Sequence, residues 1–289
     1  MDMSVEQIDC REWVKENLAS VKDLITRMRR KLKDVIVNFQ RGSMASDSQC
    51  PPSYIAFFLM IDKTSCFSDD ISQEVKSHLE KSYKTHMKSN GWKDGDILKD
   101  KQSLWRIYIS REINKAPLVY EEQLSNFFRT IVHEPTNSHV LCLMLWLFPE
   151  LRTVDRIDAV VKFEMNGLAT WMLQDKMLLW GAQIRSMDCS QEKVRDIEAK
   201  IFKRQLNSGG FVNIEGQDAH ADLISSACAL LTLVSCAGRG GLENAAFVPV
   251  HKTARWVFEQ LSKTQDVNES FVWALYSLSE FVNLYRREG

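Results

Sequence analysis

Neither glycine nor proline occurs from the first residue to Arg41. Within that stretch Leu18, Val21, Ile25, Met28, Leu32, Val35 and Phe39 recur at alternating steps of three and four. This is a heptad stripe, and it predicts one long amphipathic helix of the coiled-coil type over 1–41. Trp13 and Val14 extend the apolar face toward the N-terminus. A helix cannot bury its own stripe, so a protein surface must cover it. These nine side chains are therefore the expected partner-binding face. Arg27, Arg29, Arg30, Lys31 and Lys33 form a local basic run on the same segment. Such a run is ordinarily the solvated back of an amphipathic helix, and Asp23 and Asp34 dilute it further.

After Arg41 the composition changes. Gly42, Ser43 and Met44 open a polar stretch that ends in Pro51-Pro52, and residues 42–53 read as a flexible linker. Gly-Ser before Met also has the form of a cloning junction, with MASDSQ reading as a second start. On that reading 1–41 is a partner helix tethered to a mainly helical body, 54–289. A short flexible tether holds its two ends at millimolar effective concentration, which favours docking of the helix on the body.

The body is expected to be an irregular helical bundle, with a small strand–helix–strand portion near 54–110 and a wholly helical part over 117–289. The runs at 54–61 (YIAFFLMI) and 104–109 (LWRIYI) are short, apolar and rich in aromatics, which suits strands. Between them Ile71, Val75, Leu79, Tyr83 and Met87 repeat every four residues, which suits a helix stopped by Gly91. Leu124, Phe127, Phe128, Ile131 and Val132 mark the next helical face. The run 140–148 (VLCLMLWLF) is apolar on every side, so its helix belongs at the centre of the core. Helices follow near 154–172, 178–180, 190–206, 219–237, 249–261 and 266–285. Ser190, Asp218 and the Asp266-Val267-Asn268-Glu269 box are the expected caps, and Gly209-Gly210 and 238–241 the expected stops. No period of 30 to 45 residues appears, so a regular solenoid is not expected.

The chemistry-bearing residues are sparse. His133, His139 and Cys142 lack a fourth ligand and the spacing of a structural zinc site. Asp218, His220 and Asp222 cluster at a helix start, where capping explains the carboxylates as well as acid–base work does. The glycines at 209–210 and 238–241 match neither a phosphate loop nor a dinucleotide fingerprint. No catalytic, cofactor or metal residue is assigned. Trp13 and Trp92 stand among polar residues, and Trp92 is a second candidate interface anchor.

Net charge is −1, which gives no global attraction to nucleic acid or to an acidic membrane. The longest apolar run, nine residues, reaches only about 13 Å as a helix, short of a bilayer. The first ten residues, MDMSVEQIDC, are too polar for a signal peptide. The seven cysteines are odd in number and none has C-x-x-C spacing, so they read as reduced thiols of an intracellular protein in cytoplasm or nucleus. The expected function is that of a non-enzymatic adaptor or scaffold subunit with a groove for a long amphipathic helix. The alternatives are a nucleic-acid-associated helical protein using the run at 27–33, and a helical enzyme.

Overall fold

A helix that is apolar all round has no solvent face, so other helices must surround it. The segment 140–148 shows this in the computed structural model, which describes residues 5–41, 50–64, 75, 77, 101–114, 118–132, 138–165, 172–213, 220–240 and 247–287. Eleven α-helices are present among them. They are α1 (Val5–Arg41), α2 (Pro52–Lys63), α3 (Lys101–Asn114), α4 (Leu118–Ile131), α5 (Ser138–Leu147), α6 (Val154–Met165), α7 (Leu173–Arg185), α8 (Gln191–Phe202), α9 (Leu223–Gly240), α10 (Phe247–Lys263) and α11 (Glu269–Arg287). From Leu141 to Phe148 every side chain is buried. No described helix is long and apolar enough to cross a membrane.

Six of the helices close into a ring. α2 packs on α3, α3 on α5, α5 on α7, α7 on α9, α9 on α11, and α11 returns to α2. An outer layer covers the seams: α6 lies on α5 and α7, α8 on α7 and α9, α10 on α9 and α11, and α1 on α2, α10 and α11. From α5 to α11 the chain thus alternates between inner and outer layers, and the sequence α1–α2 repeats the same order. Residues from the C-terminal parts of α2, α3, α5 and α7 line a common cavity, so these inner helices run in one direction.

The mainly helical class is what the patterns imply, but the strand–helix–strand portion is not present. Tyr54 to Ile61 lies in α2 and Leu104 to Ile109 in α3. The reason is burial on more than one side. Eight of the twelve residues of α2 are buried, because the helix stands between α1, α3 and α11. A short run that is apolar on all faces carries no period that separates strand from helix. Phe57, Trp105 and Trp273 settle it by packing as one cluster, with ring centroids 5.0 Å apart for Phe57–Trp105 and 4.6 Å for Phe57–Trp273. The helix expected over 71–87 lies outside the described residues except at Val75 and Ser77, both helical.

The caps follow the sequence in part. Ser190 accepts a hydrogen bond from the Lys193 amide at 3.2 Å and starts α8. α9 begins at Leu223 and not at 219, since Asp222 is the cap: its Oδ2 accepts from the Ser225 amide at 2.7 Å. Asp218 lies outside the described residues. α11 is capped by Asn268, whose Oδ1 accepts from the Phe271 amide at 2.9 Å, in place of the expected Asp266 box. Gly209 turns the chain after α8 at φ +94, where a Cβ would stand 2.3 Å from the Lys252 carbonyl oxygen. α9 runs to Gly240, within the expected stop at 238–241.

The α5–α7–α9 contact depends on small groups. A Cβ on Gly181 of α7 would lie 2.5 Å from Trp146 Cζ3 of α5, so the missing side chain is the space the indole fills. Across α7 and α9 the Thr232 hydroxyl donates to the Met177 carbonyl at 2.7 Å, in a buried contact. Gly181→Val inserts three carbons into this filled space and is expected to destabilise the chain by roughly 1–3 kcal/mol. The check is the urea midpoint at unchanged slope; a midpoint equal to that of the parent chain contradicts the packing described.

Candidate functional site

The face of α1 that the apolar spacing marks is turned mostly inward. Val21, Ile25 and Leu32 have no exposed surface, and Val14 is also buried. Leu18 and Met28 are half-buried against the core, as is Trp13, whose ring meets Phe258 of α10 edge-on at 6.4 Å. Val35 is half-buried, and the side chain of Phe39 lies outside those described. Trp92 also falls outside the described residues.

The stripe is not the strict heptad. Leu24, Arg29 and Ile36 are buried and absent from the 3-4 series. The inward set Val14, Leu18, Val21, Ile25, Arg29, Leu32, Ile36 advances by 22 residues in six steps, close to the 3.6 of a straight helix. A heptad tracks one partner by supercoiling, whereas α1 lies across three helices and needs no supercoil. Hence its inward face drifts from Met28 and Val35 to Arg29 and Ile36.

Arg29 is the residue that sequence reasoning missed. It belongs to the basic run, yet its side chain is 1% exposed. Its Nη2 donates to Asp62 Oδ1 of α2 at 3.0 Å, and its guanidinium lies 5.4 Å from the Phe58 ring centroid. The signal was available: Arg29 stands four residues after Ile25 and three before Leu32. Lys31 is turned toward Phe271 of α11 at 5.8 Å, while Arg27 and Arg30 are exposed. The basic run is therefore split around the helix and does not present five cations on one surface.

The other candidate clusters do not assemble. His139 Nδ1 faces Asp175 Oδ1 at 2.5 Å, joining α5 to α7, and Cys142 is fully buried one turn on. His133 lies outside the described residues. Among the described residues no group of three or more His, Cys, Asp or Glu side chains is placed to hold a metal ion. Near α9, Asp222 is committed to its cap and His220 is exposed, with Asp218 outside the described residues. Burial pushes the Cys142, Cys228 and Cys236 thiols far up, and Cys50 to about 12. A thiol held protonated is a packing group and a poor nucleophile.

No family model, curated protein or solved structure matches the chain.

Two outcomes test this geometry. Removing either member of the Arg29–Asp62 pair leaves a buried charge behind, so Asp62→Ala or Arg29→Met is expected to cost about 3–5 kcal/mol. The double replacement Arg29→Met with Asp62→Leu should recover most of that loss, and additive losses in chemical denaturation contradict the pairing. An alkylation pulse at pH 8 should modify the half-exposed Cys189 in the native protein, with Cys142, Cys228 and Cys236 modified only after unfolding. Native labelling of Cys228 as fast as Cys189, read by peptide mapping, contradicts the burial.

Proposed function

We propose that this chain is a protein–protein interaction subunit whose ring carries a seat for a long amphipathic helix, with α1 as the occupant of that seat. The observation that carries the reading is the inward face of α1, seven positions from Val14 to Ile36 set against α2, α10 and α11. Burying a large apolar side chain contributes roughly 1.5–3 kcal/mol, a gross figure reduced by the cost of ordering the helix. Recognition is then of the helix-in-groove kind, with anchors at i, i+4, i+7 and i+11. The buried ion pair favours one register, since a one-turn slide of α1 would break the Arg29–Asp62 contact. Such a groove serves a scaffold, which holds a helix in place without acting on it chemically. The split of the basic run supports this reading over nucleic-acid contact through 27–33.

Ile25 and Leu32 have no exposed surface and stand two turns apart on the seat. Replacing both with Asp is expected to detach α1 while the ring stays folded. Hydrogen exchange over 14–36 should then rise to the rate of an open helix, with α7, α9 and α11 still protected. Unchanged protection over 14–36 in this variant rejects the seat as the contact.

A further inference from the structure

A second site lies at the end of the ring where α2, α3, α5 and α7 finish. A cavity of about 220 Å³ opens there, walled also by α11, and α1 takes no part in it. Helix C-termini leave carbonyl groups without partners, and cationic side chains collect at them. Arg152 is one such cation. Its Nε donates to the Leu145 carbonyl at 2.8 Å and its Nη2 to the Trp146 carbonyl at 2.5 Å, which closes the end of α5. These bonds use one edge of the guanidinium, and its Nη1 has no partner among the described residues. Arg185, the last residue of α7, lies 3.9 Å from the Trp146 ring centroid and donates from Nε to Ser235 Oγ at 2.9 Å.

The carboxylates nearby are largely taken. Both Glu150 oxygens accept from Arg111 Nη1, at 2.7 and 2.9 Å, and Glu112 pairs with Lys63. That leaves Glu280, which lines the same cavity as Arg152 and Arg185, with the Tyr276 hydroxyl in reach of both Glu280 and Arg185. Burial, then the neighbouring charge of Arg185, pulls Arg152 down to about 10, a sign that the two cations crowd one another. Burial raises the Tyr108 and Tyr276 phenols, so both stay protonated as neutral donors on the cavity wall. The lining thus carries four cations, Lys63, Arg111, Arg152 and Arg185, against the carboxylates Glu112 and Glu280 and the nearby Glu150, and Glu112 and Glu150 are already paired. Guanidinium forks match oxyanions in both geometry and charge.

We propose that this cavity binds a small oxyanionic ligand, a phosphate or carboxylate group held between Arg152 and Arg185 with the aromatic rings of Tyr108, Trp146 and Tyr276 beside it. At roughly 30 Å³ for each water it displaces, the space takes such a group and a few further atoms. Glu280 is the competitor that an incoming anion meets.

The test is calorimetric titration of the full chain with inorganic phosphate and, separately, with acetate, at constant ionic strength. One saturable site is expected for at least one of them, and which anion binds separates a phosphate site from a carboxylate site. Glu280→Gln removes the competing charge and should tighten binding about tenfold, while Arg185→Met should weaken it at least as much. If Arg185→Met does not fold, Glu280→Gln alone decides. Absence of saturable heat with both anions overturns the proposal, and so does a Glu280→Gln variant that binds with unchanged Kd.

Discussion

The ring stands or falls on its closure, and the closure is aromatic. α2, α3 and α11 come from positions far apart in the chain, and they meet through Phe57, Trp105 and Trp273. Tyr276 adds a fourth ring, 5.9 Å from Phe57. Large rings in tilted and edge-on contact bury much surface with few rotatable bonds, so they hold a long-range junction at low entropic cost. Lys101 of α3 pairs with Glu269 of α11, and the Tyr54 hydroxyl donates to the Val267 carbonyl at 3.2 Å, pinning α2 and α3 to the start of α11. Every other inner contact joins helices closer along the chain.

That division explains what the sequence made legible. Helices of the second half announce themselves locally, by the all-apolar run of α5, the Ser190 cap and the spaced apolar faces of α8 and α10. Ring closure leaves no local trace, because it is a relation between α2 and α11. Its consequence, burial of α2 on several sides, erased the very period that would have identified a helix at 54–61. The caps of α9 and α11 were missed by a few residues because each start holds several capping residue types. Only geometry chose Asp222 and Asn268.

The inward face of α1 follows its apolar spacing in outline and departs from it in detail. Apolar spacing located its inward face, while treating charge as a surface property hid Arg29. A guanidinium enters such a contact when a carboxylate and an aromatic face await it, and neither Asp62 nor Phe58 is near in sequence. The cavity at the end of the ring was invisible for a similar reason. Arg111, Arg152 and Arg185 sit about 40 and 33 residues apart, and each alone reads as an ordinary helix-end cation.

Closure between α2 and α11 also sets a schedule. During synthesis α2 leaves the ribosome more than two hundred residues ahead of the helix that covers it. Through that interval Phe57 and its neighbours have no α11 to pack on, and one side of this oily helix stays open while α1 and α3 cover the others. Long-range joins of this sort form slowly and late. α1 is made just before α2 and packs on it in the folded chain, so the side of α2 that faces α1 can be covered long before the side that faces α11.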